Sequence, residues 1–222
     1  MGVLESVNLA VAEPNPYKQS MSTGINKRPQ PGRFAVTAPG PRGDGQASAL
    51  VGDFIGDTKN HGGCQQALYA FERSDLDAWE KRLGRELGNG FFGENLTTSG
   101  LDVNDAVLGE TWRIGGDVEV RVTGPRIPCS TFRGWLGETG WLKTFTAVAR
   151  PGAYLSIERP GMIGAGDDIT VLHRPAHDVT VSLVYRALTT ERELLPRLLA
   201  ADQYLDDEYR AIVARGKTLR LG

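Results

Sequence analysis

The sequence predicts an α+β chain, mainly β, that ends in a short helical segment, and three observations predict it. Glycine and proline number 28 and 12 in 222 residues, above their usual combined share of about 12%, so the chain turns often and short strands are favoured over long helices. Within "VEVRVT", Val118, Val120 and Val122 alternate with Glu119, Arg121 and Thr123, the period of a strand with one face buried. After about residue 186 strand patterning stops and leucines recur at helical spacing.

Taken in order, "VLESVNLAV" reads as a first strand. The Pro- and Gly-rich stretch 29–45 reads as a long loop around one short strand, "RFAVT". Ser74 to Leu83 predicts a helix, with Ser74 as cap, Asp75 and Asp77 at its positive end and Lys81 and Arg82 at its negative end. Leu76, Trp79 and Leu83 then share its buried face. The strand 118–123 is expected to end where Gly124-Pro125 turns the chain out of the sheet. "DITVLH" and "VTVSLVY" read as two further strands. In the tail, Thr190 with Glu193 fits a capping box ahead of Leu194, Leu195, Leu198 and Leu199, and Pro196 predicts a kink or a helix start. Asp206 to Arg215 predicts a last helix with Tyr209, Ile212 and Val213 inward and Gly216 as its stop.

Composition narrows the function class. Lys plus Arg is 25 against 27 Asp plus Glu, a net charge of −2 at pH 7, which argues against a nucleic-acid polymer or a membrane surface as partner. No apolar run approaches the roughly 20 residues of a membrane span, and the N-terminus lacks the pattern of a secretory signal. With only two cysteines, the expectation is a cytoplasmic chain with reduced thiols.

Several motifs carry chemistry in more than one way. "GNGFFG" (88–93) matches a dinucleotide fingerprint, but a helix precedes it and no helical pattern follows, so that reading fails on context. The three histidines lack zinc-ligand spacing. "HGG" (61–63) suits either an anion approached by backbone amides or a plain tight turn. "FFGENLTTSGLD" (91–102) could present Glu94, Asn95, Thr97 and Thr98 to a polar ligand or satisfy its own turns. Trp135 and Trp141 are read as core or pocket wall. In "GPRIPCSTF" (124–132), Pro128 stiffens the bend that carries Cys129, with Arg126 and Arg133 near in sequence. Such a cysteine suits a thiolate nucleophile, a soft-metal ligand or a buried structural thiol.

"HGG…ALYAF", "FGENLTTSGLDV", "LGETWRIG" and "PRIPC" in this order resemble the MOSC family, named after the C-terminal domain of molybdenum cofactor sulfurases, and in particular its stand-alone bacterial YiiM-like branch. The resemblance covers essentially the whole chain. It implies a MOSC β-barrel-like domain over residues 1–178 and a C-terminal strand and three-helix-like segment over 179–222. It implies that the chain binds the molybdenum cofactor (molybdopterin), with Cys129 as the metal ligand and catalytic residue beside His61 and Arg126. Thr23, Lys27, Arg28, Gly62, Gly63, Asn95, Thr97 and Arg133 are the cofactor-binding residues it implies, with Lys27 and Arg28 facing the cofactor's phosphate. The implied reaction reduces N-hydroxylated compounds, such as N-hydroxylated nucleobases, to amines. Pyridoxal phosphate, flavin and iron–sulfur centres are not expected in this chain, so electrons are expected from a separate flavin- or NAD(P)H-dependent reductase; a homodimer is left open. The alternatives are a non-catalytic cofactor carrier or sulfur-transfer module, and a cofactor-free hydrolase or transferase that uses Cys129 and His61. One departure stands out: after HGG this chain has Cys64-Gln65 where the family pattern leads one to expect a Pro-Asp-like pair. The extra thiol raises the question of a Cys64–Cys129 disulfide.

Overall fold

The computed structural model describes residues 1–18, 21–44, 47–219 and 221. In chain order its elements are β1 (Gly2–Leu9), β2 (Glu13–Pro14), β3 (Ser22–Thr23), β4 (Arg28–Pro29), β5 (Arg33–Val36), β6 (Leu68–Glu72), α1 (Arg73–Leu83), β7 (Leu96–Ser99), β8 (Thr111–Ile114), β9 (Val118–Pro125), α2 (Ser130–Leu136), α3 (Trp141–Val148), β10 (Ala153–Arg159), β11 (Gly161–Gly164), β12 (Asp168–His173), α4 (Val181–Thr189) and α5 (Asp207–Arg215). Short 3-10 segments cover Cys64–Gln66 and Arg192–Tyr204.

Seven strands close a mixed barrel in the order β12-β8-β9-β10-β6-β7-β1, and β1 returns to β12 through Gly2 opposite Ile169. Closure removes exposed strand edges. The neighbours are antiparallel except β6 and β7, where Ala70 lies opposite Leu96. A parallel pair needs a crossover, and α1 lies in it. The barrel interior is hydrocarbon: Leu4, Leu68, Leu96, Trp112, Val118, Val120, Val122, Leu155 and Ile169 share one buried cluster. Val118, Val120 and Val122 are buried while Glu119 and Arg121 are half-buried, as their alternation predicts.

β9 runs on through Gly124 and Pro125 instead of ending before them. The register slips between Tyr154 and Leu155, leaving Thr123 as the extra residue between Val122 and Gly124. Such a bulge turns the strand locally. Pro125 is accommodated at the strand's last position, paired with Ala153.

Outside the barrel lie two further cores. One is aromatic and joins Trp79 of α1, Phe92, Phe132 of α2, Trp141 and Phe145 of α3 and Tyr185 of α4. Trp141 is fully buried there, and Trp135 donates its Nε1–H to the Phe91 carbonyl at 2.8 Å, so both tryptophans serve packing. The other joins Val184 and Leu188 of α4, Leu198 of the second 3-10 segment and Ile212 of α5 with Leu108 and Leu205 from the loops beside them.

Local corrections are instructive. "VTVSLVY" forms the start of α4, not a strand: Thr180 accepts the Leu183 amide at 3.1 Å, and Val181, Val184, Ala187 and Leu188 bury one face. A short apolar run satisfies both periods, and the cap decides. α1 begins at Arg73 after Glu72, so Ser74 sits inside the first turn and does not cap it. The Thr190–Glu193 box does not form; Glu191 precedes a 3-10 run whose irregular residue is Ala201, not Pro196. The last helix is as expected, with Asp206 accepting the Tyr209 amide at 2.7 Å and Gly216 in the left-handed conformation. β5 lies within the 29–45 stretch, whose final residue, Gly45, lies outside the described residues.

Candidate functional site

A cleft of about 740 Å³, counting its open mouth, lies at one end of the barrel, between the segments 22–27, 54–62 and 92–95 and the bend 126–131. That size suits a heterocyclic ligand of cofactor dimensions. Its floor is aromatic, with Tyr69, Phe92 and Tyr154.

The bend at Cys129 follows from β9 and α2. The strand delivers Arg126 beside Gly152, and Cys129 is the residue before the first turn of α2, with its carbonyl accepting the Arg133 amide at 3.0 Å. The Arg126 guanidinium lies over Phe132, its carbon 3.6 Å from the ring centroid, and 5.7 Å from that of Tyr69. Stacking holds the cation without occupying its hydrogen-bond donors. Arg126 is only 5% exposed, yet its Nη1 is buried with no hydrogen-bond partner. Burial pushes the Cys129 thiol up, but a hydrogen bond from His61 and the charge of Arg126 outweigh it and bring the thiol down to about 6. Cys129 is therefore largely thiolate at neutral pH. Burial also pushes the Tyr154 hydroxyl up, to about 12, against the nearby Arg126 charge, so it stays protonated.

His61 sits on a loop fixed at its base. Its amide bonds the Asp57 carbonyl at 3.0 Å, and the Asp57 carboxylate takes Lys18 Nζ at 2.8 Å and Asn60 Nδ2 at 2.9 Å. Burial raises the Asp57 carboxyl, but Lys18 and Asn60 hold it below the usual value. Gly62 and Gly63 have φ of +79° and +75°, and a Cβ on either would meet the backbone of Ala47 or Arg42 at 2.5 or 2.6 Å. The glycines are thus required by close packing of the protein's own loop, the plainer of the two readings.

The opposite wall is closed on itself. Lys27 Nζ meets Asp53 Oδ1 at 2.5 Å, and both side chains are buried, 6% and 0% exposed. Asp53 also accepts the Ala10 amide, Ser48 Oγ and Asn95 Nδ2 at 2.9, 2.7 and 2.9 Å. Asn95 in turn accepts the Tyr69 amide at 3.2 Å. Burial lowers the Lys27 ammonium against the attraction of Asp53. Behind it, the fully buried Glu94 accepts the amides of Gly90 and Phe92 and the hydroxyl of Thr97 at 2.5, 3.0 and 2.9 Å. Burial lifts its carboxyl to about 7 despite those bonds. The glycine motif at 88–93 therefore cradles the chain's own carboxylate.

Of the residues expected in the site, Cys129, His61, Arg126, Thr23, Lys27, Gly62 and Asn95 line the cleft. Gly63 is buried beside it at the start of the 3-10 segment. Thr97 is buried behind the wall, bonded to Glu94 and Asn8. Arg28 and Arg133 are exposed and do not line the cleft. Sequence reading passed over Tyr154, Gln66 and Asp53. Gln66 lies in a stretch already singled out, whereas Asp53 is 26 residues from the lysine it holds, and no local pattern joins them. Both cysteines are free, and Cys64 is exposed in a different hollow, with Arg42 and Glu208, so the disulfide is not formed.

The donor set fits an anionic, metal-bearing cofactor. It offers one thiolate, one stacked cation with an open donor, and the Thr23 hydroxyl, whose oxygen accepts the Ile25 amide at 3.1 Å and leaves its proton to donate. Among the described residues no group of three or more His, Cys, Asp or Glu could hold a metal ion, so a metal at Cys129 would draw its other ligands from such a cofactor.

Comparison with known proteins agrees with this architecture. The chain is 27% identical over 215 residues to the uncharacterized protein YflK of Bacillus subtilis, covering 96% of this chain and 93% of that one. It is 26% identical over 168 residues to the protein YiiM of Escherichia coli, covering 74% and 70%. A protein of Gibberella moniliformis named "Reductase" matches 99% of this chain at 26% identity, but the match covers only 39% of its own length. Among solved structures, YiiM from Geobacillus stearothermophilus superposes with a TM-score of 0.76 over 97% of this chain and 99% of that one at 21% identity. YiiM from Escherichia coli gives 0.73 over 99% and 96% at 20% identity. The family of the MOSC domain matches residues 57–170, and the chain belongs to that molybdenum-cofactor-related family.

Proposed function

We propose that this protein is a molybdenum-cofactor-binding oxidoreductase that reduces N-hydroxylated compounds to amines, with Cys129 as its ligand to the metal. The observation that carries the reading is a thiol lowered to about 6 beside a 5%-exposed arginine with an unpartnered donor, in one cleft. The similarity to a fungal protein named reductase supports a redox role. When bound, the cofactor supplies two-electron oxygen-removal chemistry.

The chain's residues do the rest. Cys129 offers a soft anionic ligand on a rigid bend. Arg126 directs Nη1 to anionic oxygens, and Thr23 adds a hydroxyl donor from the facing segment. His61 holds a proton at Cys129 and is the group best placed to pass protons to the leaving oxygen. Tyr69, Phe92 and Tyr154 give the cleft an aromatic lining against which a heterocycle can pack. Electrons come from a separate flavin- or NAD(P)H-dependent reductase.

The test is elemental analysis of protein from cells able to make the cofactor, with activity on N-hydroxyadenine and amidoximes. Stoichiometric molybdenum is expected, with turnover only when a reductase is supplied. Cys129→Ser should lower molybdenum content by about 100-fold, at the upper end of the 10–100-fold typical of losing a supporting contact. Molybdenum without turnover would instead favour the carrier; metal content unaffected by Cys129→Ser would remove the reading.

A further inference from the structure

Among the described residues, β2 and β3 pair only with each other and stay outside the barrel ladder. The stretch that leaves β2, residues 15–18, crosses the cleft. Asn15, on the cleft lining, donates Nδ2–H to Thr131 Oγ1 at 3.1 Å, two residues past Cys129. Three residues on, Lys18 Nζ meets Asp57 Oδ2 at 2.8 Å, on the loop that carries His61. Between them the Tyr17 ring rests on α2, where a Cβ on Gly134 would overlap it. One segment thus ties the bend of the thiol to the loop of the imidazole.

That segment is stiff in itself. Pro14 and Pro16 flank Asn15. The Asn15 side-chain oxygen accepts the Tyr17 amide at 3.1 Å, its carbonyl accepts the Lys18 amide at 3.3 Å, and its own amide bonds the Met21 carbonyl at 3.0 Å. Its base is tightly packed: a Cβ on Gly24 would overlap the Phe54 carbonyl, and one on Gly56 the Ser22 carbonyl. Its outer attachments are light. The Lys18 side chain is 42% exposed, and an exposed ion pair contributes little to stability. Segments held by few buried contacts open locally without global unfolding. When Lys18 leaves, Asp57 keeps its bond from Asn60 Nδ2 at 2.9 Å, so the His61 loop is not obliged to follow.

We propose that residues 13–18 are a strap latched across the cleft, and that it must release Asp57 and Thr131 before a ligand of cofactor size enters or leaves. Such closures sequester a site and set the rate of exchange. The strap rests on the function proposed above only for the identity of that ligand, since it would gate any occupant of this cleft.

The test needs no cofactor. In protein prepared without it and carrying Cys64→Ser, Cys129 is the one thiol left. Its rates of modification by N-methylmaleimide and by the much bulkier fluorescein-5-maleimide are measured side by side. The small reagent reports the thiol's reactivity, and the bulky-to-small ratio reports access. Lys18→Met should raise that ratio about threefold. Asn15→Ala, which loses both side-chain bonds, should raise it about tenfold. Added salt should raise the ratio in the parent but not in Lys18→Met, because salt screens an exposed pair. Urea midpoints should stay at the parent's value, since the strap lies outside the barrel. An unchanged ratio in both variants overturns the proposal. So does an equal rise with both reagents, which would assign Lys18 to thiol activation through Asp57 and His61. A ratio that rises only with a falling urea midpoint also overturns it, because access would then come from general loosening. If the ratios respond as expected while the protein never retains molybdenum, the functional reading falls and the strap stands.

Discussion

On one wall of the cleft, Lys27, Asp53, Asn95, Glu94 and Thr97 form a buried network in which donors and acceptors meet one another at 2.5–2.9 Å. On the other, the buried Arg126 and the half-buried Gln66 each keep one buried polar atom unpaired, and Cys129 carries a depressed thiol. Both walls are polar, and both include glycine loops with positive φ, at 62–63 and at 90 and 93. Polarity at a pocket is therefore not enough to mark ligand contact. What separates the walls is whether the protein already satisfies its own groups. The closed wall carries stability and shape, and the open wall carries recognition.

That contrast predicts opposite responses to substitution. The largest effect on folding is expected from Asp53→Ala, which leaves Lys27 buried without its counter-ion. Removing one partner of a buried pair costs about 3–5 kcal/mol, and urea unfolding will show it; a cost under about 1 kcal/mol would mean that the wall is not closed. Next is Glu94. It keeps its proton in the folded chain up to about 7, against an ordinary 4.5 when unfolded. Between those values the folded state binds more protons, so stability falls as pH rises through that window, by about 3 kcal/mol at most. Glu94→Gln should remove this decline, as unfolding at pH 5 and pH 7.5 will reveal.

The smallest effect on folding belongs to the open wall. His61→Ala should change stability by less than about 1 kcal/mol. It should nonetheless move the Cys129 thiol from about 6 up toward the free value of about 8.5. In protein prepared without cofactor and carrying Cys64→Ser, the half-maximal pH of iodoacetamide modification reports that shift. An unmoved profile would place the thiol's activation on Arg126 alone.

Much of the frame was legible in advance. The alternation of 118–122 and the caps of α5 act over a few residues, and local patterns of that kind survive into the fold. α4 was misread because a short apolar run fits either period until Thr180 caps it. At the site, Cys129, His61 and Arg126 were legible as residue types on stiff loops, and they do meet at one cleft. Arg28 and Arg133 are site residues that the family resemblance implies, but their side chains remain in solvent. Lys27 was legible as a cation, but its clamp by Asp53 was not.

The sequence by itself determined the alternating strands, the stiff cationic bend at Cys129 and the family to which the motifs belong, because each depends on neighbours in the chain. Tertiary structure alone decided which polar atoms remain open. Whether Asp53 reaches Lys27, or anything reaches Gln66, depends on loops from distant parts of the chain being packed against one barrel end. A hydrogen bond across that distance leaves no trace in local spacing.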